Sequence, residues 1–149
     1  PLVGVVFNPI MQECFWASIG NGAYLNGKPI HVSKVSRLEE SLLATGFAYD
    51  RTQTPDNNYK EFCHMTSLSQ GVRRGGSAAL DLSYVAAGRL DGFWERGLKP
   101  WDMAAGWMLV LEAGGRVSGY DGGEFDISTG RILATNGLVY ERMIDELKM

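Results

Sequence analysis

The spacing of apolar residues changes character about a third of the way along the chain. Early on, "VGVVFNP" (3–9) and "ECFWASIG" (13–20) are β-branched and aromatic runs set apart by turn residues, as strands are. "GAYLNGKPIHVS" (22–33) contains Asn26-Gly27, the dipeptide that favours a type I′ turn between two short strands. The pattern predicts an antiparallel meander. "ESLLATGF" (40–47) adds a short apolar run that ends at Gly46 and predicts one more strand.

After this point helical spacing alternates with short strands. "TPDNNYKEFCHMTSLSQG" (54–71) offers Thr54 as an N-cap and Pro55 as the first helical residue. In that helix Tyr59, Phe62, Cys63 and Thr66 would share a face, and Gly71 follows its end. "GVRR" is a strand candidate. "GGSAALDLSYVAAGR" predicts a helix capped by Ser77 and stopped at Gly88. "LDGFWE" is again strand-like. "GLKPWDMAAGWMLVLEAGG" (97–115) predicts an oily helix from about Asp102 to Ala113, with Glu112 as its only charge after Asp102. "GRVSGY" and "RILATN" read as strands around the turn "DGGEF". In "LVYERMIDELKM", Tyr140, Met143, Ile144 and Leu147 fall on one helical stripe. Helices alternating with strands imply an α/β layered architecture for the second part. The leading strands read as part of a second sheet whose other members are absent.

Composition narrows the classes. The chain has 149 residues, 45% of them hydrophobic and 21% charged, which suits one domain with a real core. A formal net charge of -3 argues against a nucleic-acid or anionic-membrane surface. No apolar run is long enough to span a bilayer. Cys14 and Cys63 stand apart, without metal-type spacing, and read as two reduced thiols of a cytoplasmic protein. The chain opens directly on a strand-like run with no methionine and no signal peptide, which suggests a fragment whose N-terminal part is missing.

Three places could carry chemistry. Asp102 could simply cap the oily helix, since aspartate is a preferred cap. A carboxylate has about four lone-pair sites, so one oxygen can cap while the other meets a hard cation such as Mg²⁺. "GGSAA" could seat an anion or polar ligand on the free N–H groups of a helix start, or be a plain capped helix packed through Ala78 and Ala79. Glu95 stands at the end of a strand, where α/β sheets collect ligand-binding groups, or is a solvated loop glutamate. Arg73, Arg74 and Lys99 could meet phosphate, although structural ion pairs or cover for a strand edge are the commoner fate of the two arginines. His31 and His64 have no acidic or cysteine partner nearby in sequence and read as surface or satisfied packing residues. Ser-His-Asp order, zinc spacing and a Walker loop are all missing from the sequence. By itself this reading stops at an α/β domain with a carboxylate-lined polyol or phosphate site.

Taken together, "RRGGSAALDLSYVAAGRLDGFWERGLKPWDMAAGWMLVLEAGG" resembles the inositol monophosphatase family of Mg²⁺-dependent, lithium-sensitive phosphatases, most of all its bacterial members. "W-D-x-A-A-G", an apolar run and "E-A-G-G" make up that family's C-terminal signature. "GVVFNPIMQECFWASIGNGAYLNGKPIHVS" looks like its central strands and hairpin, and "ILATNG" like its late strand. The resemblance implies a layered sugar-phosphatase fold of α+β and α/β parts. Residues 1–45 would be central antiparallel strands that end a truncated N-terminal α+β domain, and residues 46–149 a C-terminal α/β domain with a mixed sheet between helices.

The resemblance also implies roles. Asp102 would bind Mg²⁺, Glu95 would contact hydroxyls of an inositol ring, and Gly76, Ser77 and Ala78 would line the substrate pocket. Trp101 would pack behind the metal site. The family's other metal ligands lie in an upstream glutamate-bearing helix and an "Asp-Pro-[Ile/Leu]-Asp-Gly-Thr" loop, and neither occurs in this chain. The parent enzyme is expected to hydrolyse inositol monophosphate as a homodimer, with no nucleic-acid or membrane partner. The 149 residues alone are expected to be inactive. A sibling activity on fructose 1,6-bisphosphate, a nucleotide 3′-phosphate or histidinol phosphate, or a non-catalytic interaction module, are the alternatives.

Overall fold

The computed structural model describes residues 2–148. Strands β1 (Val3–Asn8), β2 (Glu13–Ser18), β3 (Ala23–Leu25) and β4 (Lys28–Ile30) form an antiparallel sheet in that order. The Asn26-Gly27 turn is left-handed at both residues (φ 49° and 77°), as a type I′ hairpin requires. Asn26 also ties the meander together. Its Oδ1 accepts from Cys14 N–H at 2.8 Å, and its Nδ2 donates to the Gln12 carbonyl at 3.0 Å.

The remaining elements are β5 (Leu42–Thr45), α1 (Tyr59–Leu68), β6 (Gly71–Arg73), α2 (Ala78–Ala86), β7 (Gly92–Arg96), α3 (Pro100–Glu112), β8 (Arg116–Ser118), β9 (Arg131–Thr135) and α4 (Tyr140–Leu147). Their strands form a five-stranded sheet ordered β6-β5-β7-β9-β8. β5 runs parallel to β6 and β7, whereas β9 is antiparallel to β7 and β8, so the sheet is mixed.

The alternation of side chains along each strand separates two cores. Ala44, Phe93, Ile132 and Ala134 face α2 and α3, together with Val6, Phe15 and Ala17 of the first sheet. Leu43, Trp94 and Leu133 face the other way, towards Met65 of α1 and the stripe Tyr140, Met143, Ile144 and Leu147 of α4. The layers therefore run antiparallel sheet, α2–α3, mixed sheet, α1–α4. Glycines permit the closest approaches. A Cβ on Gly4 would lie 2.9 Å from the Ala105 carbonyl of α3, and one on Gly106 would strike Leu82 of α2.

Several sequence expectations are corrected. α1 begins at Tyr59, after Asn58 in the left-handed region (φ 67°), not at Pro55. The Thr54 hydroxyl instead accepts from Asp56 N–H at 3.2 Å and shapes a turn. Tyr59, Cys63 and Thr66 are exposed, Met65 and Leu68 face the core, and Phe62 is half-buried with its ring edge-on to Phe47. The reason is tertiary: the face of α1 that turns inward is the one that meets the sheet and α4. His64, by contrast, is half-buried and satisfied as expected, its Nε2 lying 2.6 Å from Glu146 Oε2 of α4. Arg73 and Arg74 make no ion pair among the described residues. Cys14 and Cys63 are free thiols.

Candidate functional site

The site is built where three chain segments end on one side of the mixed sheet. α2 starts there. Gly76 is left-handed (φ 85°) and open space lies where a side chain would project, so the chain turns sharply into the helix while leaving room above it. Ser77 caps the helix, its Oγ accepting from Leu80 N–H at 3.5 Å. The preceding N–H groups, of Ala78 and Ala79, have no partner within the helix and face outward from its start. They sit at the positive end of the helix dipole, a natural seat for an anion.

β7 delivers Glu95 one residue before the strand ends. Its carboxylate occupies the space over Gly46, where any Cβ would collide with it. Burial pushes its pKa up to about 7, the negative charges of Asp81 and Asp102 add to the rise, and Arg74 opposes it. Glu95 is therefore half-buried and close to half-protonated near neutrality, not a solvated loop glutamate.

α3 delivers Asp102. The structure corrects its place: the helix cap is Lys99, Pro100 is the first helical residue, and Asp102 is the third. Asp102 Oδ2 reaches back to accept the Lys99 N–H at 2.8 Å, the acidic arm of a capping box. Lysine has no side-chain acceptor, so the reciprocal arm is missing. Oδ1 makes no hydrogen bond among the described residues and remains available. Trp101 does not pack behind the aspartate. It is 77% exposed, because the third-residue position turns Asp102 inward and its neighbour outward.

These groups converge. Gly76, Ser77, Ala78, Glu95 and Asp102 line one cavity of 490 Å³. Arg74, Lys99 and Trp101 complete its rim, and the loop from Gly46 to Arg51 forms a further wall. The guanidinium of Arg74 stands 5.7 Å over the Phe47 ring. Thus Gly76, Ser77, Ala78, Glu95 and Asp102 share a single pocket that brings together the start of a helix, a half-buried carboxyl and a free carboxylate oxygen.

Three supporting arrangements were not visible in sequence. Asp81, one turn into α2, is only 4% exposed, and its carboxyl lies against Gly75 behind the helix start. Burial pushes its pKa up to about 7. Asn58 sits in a buried network below Glu95. Its Nδ2 donates to Thr45 Oγ1 at 2.8 Å and to the Gly46 carbonyl at 2.7 Å, and its Oδ1 accepts from Trp94 Nε1 at 2.7 Å. The loop after β5 is clamped as well. Arg96 reaches Asp50 at 2.8 Å and Asp56 at 3.0 Å, and Arg131 also pairs with Asp56. Arg96 holds the Asp50 carboxyl below its ordinary pKa.

Asp102 fits as one oxygen ligand for a hard cation, but among the described residues no group of three or more His, Cys, Asp or Glu could hold a metal. Nor is any helix among them long and apolar enough to cross a membrane.

Comparison with known proteins agrees with this fold. The chain is 61% identical over 147 residues to an inositol-1-monophosphatase of Synechocystis sp., covering 99% of this chain and 51% of that protein. It is 45% identical over 146 residues to Nus factor SuhB of Pseudomonas aeruginosa, covering 97% of this chain and 54% of that one. The solved inositol monophosphatase of Anabaena (Nostoc) sp. superposes with a TM-score of 0.98 at 57% identity, over 99% of this chain and 59% of that chain. The chain thus spans about half the length of the curated relatives it matches. The profile of the inositol monophosphatase family matches residues 1–148, and the chain belongs to that family.

Proposed function

We propose that this chain carries the substrate-facing half of a Mg²⁺-dependent phosphomonoesterase that releases phosphate from inositol monophosphate. The observation that supports it most is the convergence of the α2 start, Glu95 and Asp102 on one cavity. The start of α2, with Arg74 and Lys99 on the rim, suits the negative charge of a phosphate ester. Glu95 suits ring hydroxyls, accepting from them as a carboxylate or donating when protonated. Asp102 presents Oδ1 as one oxygen ligand, and Mg²⁺ needs few protein carboxylates because it keeps several waters. When bound, the metal would supply an activated water and charge stabilisation at the phosphoryl group. The remaining carboxylate ligands would come from the acidic motifs that family members carry and these residues lack. A homodimer, lithium sensitivity and a cytoplasmic setting belong to the same reading.

The test is phosphate release by a chimera that joins these residues to the part of the Synechocystis relative outside the match. The panel holds inositol 1-phosphate, fructose 1,6-bisphosphate, a nucleotide 3′-phosphate and histidinol phosphate, each with and without Mg²⁺. Inositol 1-phosphate should be the best substrate. Faster turnover of fructose 1,6-bisphosphate would overturn the substrate assignment. An interaction role is the second reading, favoured by the resemblance to a protein named as a Nus factor. It gains if the chimera folds but releases no phosphate from any of the four.

A further inference from the structure

The acids of the loop after β5 are unevenly shared among the arginines around it. Asp50 accepts from Arg96 Nη1 at 2.8 Å and from Nη2 at 3.2 Å, a bidentate pair. Asp56 takes Arg96 Nε at 3.0 Å and the Arg131 guanidinium. Arg51 stands between these two acids in sequence and lines the cavity, yet pairs with neither. Among the described residues its half-buried guanidinium makes a single hydrogen bond, from Nη1 to the Ala48 carbonyl at 3.4 Å. Most of its donors are therefore open. A partly desolvated guanidinium without a counter-charge suits an anionic ligand, and its planar fork matches phosphate in a bidentate manner.

The segment that carries Arg51 is fixed to the end of β7. Gly97 has φ 76°, and a Cβ there would stand 2.5 Å from that of Ala48, so Ala48 packs directly on the strand end. Arg51 N–H donates to the Ala48 carbonyl at 3.1 Å and closes a turn. Asp50, inside that turn, is the residue that Arg96 grips. Arg96 is 8% exposed and follows Glu95 directly on β7. Alternation sends the two side chains to opposite faces of the strand. One strand end thus offers the Glu95 carboxyl to the cavity and, from its other face, clamps the wall that offers Arg51.

We propose that Arg51 contacts an anionic group of the ligand in this cavity and that Arg96, through Asp50, is the residue that positions it. Both roles rest on the cavity being a phosphate-ester site. Arg51 touches the ligand, whereas Arg96 and Asp50 act only through the turn that aims Arg51.

The experiment uses the chimera with Mg²⁺ and measures kcat and KM for inositol 1-phosphate, and Kd for inorganic phosphate by isothermal titration. Arg51→Gln should raise KM and Kd about tenfold, the loss of one charge-assisted contact, with kcat within about twofold. Asp50→Asn, at an exposed position, should raise both about fivefold, and Arg96→Lys, which keeps the charge but loses the fork, by a similar factor. Asp50→Asn carries the test if Arg96→Lys does not fold. The double variant Arg51→Gln/Asp50→Asn should be no worse than Arg51→Gln alone, because Asp50 acts through Arg51. A merely structural Asp50 would lower the melting temperature with KM and Kd unmoved. Glu13→Gln, which breaks the pair with Arg89 at the far end of α2, should change neither constant. The proposal is overturned by an unchanged KM and Kd in Arg51→Gln, by additive effects in the double variant, or by phosphate that does not bind the chimera at all. A Kd that Arg51→Gln raises and Asp50→Asn leaves alone strikes out the positioning role. Turnover is read separately. A chimera that binds phosphate through Arg51 but releases none from any ester sinks the phosphatase reading and leaves Arg51 standing. Phosphate release with the KM of Arg51→Gln equal to the parent's does the reverse.

Discussion

Asp81 and Glu95 hold their protons unusually tightly for carboxyls because they are withdrawn from water. The unfolded chain would release those protons near the ordinary values of 3.8 and 4.5, and the folded chain only near 7. Between those limits these two groups bind more protons in the native state, so the stability they contribute is full below about pH 4 and is lost as pH rises through about 7. The melting temperature should therefore fall between pH 5 and 8. Asp81→Asn should flatten that fall, and a fall as steep as in the parent would show that Asp81 does not titrate as described. Asn58 gives a second prediction at this scale. Asn58→Ala leaves Trp94 Nε1 and the Gly46 carbonyl without their partner in the core, while Thr45 Oγ1 still donates to the Trp94 carbonyl, and the change costs about 2–4 kcal/mol by chemical denaturation, given about 1–3 kcal/mol per orphaned group. Gly46→Ala should keep the fold while displacing the Glu95 carboxylate, so a crystal structure of that variant should show Glu95 moved out of the cavity.

The helices are held by specific ends as well as by their apolar faces. Glu112, the acidic residue of "EAGG", closes the far end of α3 by accepting from the N–H groups of Gly20 and Gly22, both at 2.9 Å. It locks the turn between β2 and β3 onto the helix. Glu112→Ala should lower stability by about 2–3 kcal/mol, since hydrogen bonds to a charged group each contribute about 1.5–3 kcal/mol and this turn is partly open to water. An unchanged denaturation midpoint would contradict it. At the same scale, Asp91 Oδ2 accepts from Leu42 N–H at 2.7 Å, and Ser33 donates to its other oxygen. Asn136 donates to Ser33 Oγ and to the Val35 carbonyl, so the connection between the two sheets is fastened to β5 and to the loop before α4. Glu13 and Arg89 join β2 to the end of α2 in a bidentate pair.

At the scale of the whole molecule, the cavity has one candidate metal ligand and no cluster to complete it among the described residues. The purified chain should therefore release no Mg²⁺-dependent phosphate from inositol 1-phosphate above background, and turnover at the chimera's rate would refute this. How much of this was legible beforehand depended on the range of the forces involved. Strand and helix order, the Asn26-Gly27 turn, the Ser77 cap and the α4 stripe were readable because each is decided by neighbours within a few residues. The signature around Asp102 placed the chain in its family, and Gly76, Ser77, Ala78, Glu95 and Asp102 were picked out as candidates. Their meeting in one cavity was implied by the resemblance alone and not by spacing or periodicity, because it depends on three segments ending on the same side of one sheet. The start of α1, the outward turn of Trp101 and the His64–Glu146 contact depended on which faces the layers offered each other. Sequence alone thus determined the local elements and the family. Tertiary packing decided which acids lost water and which oxygen of Asp102 stayed free, because burial and charge proximity are properties of the assembled layers.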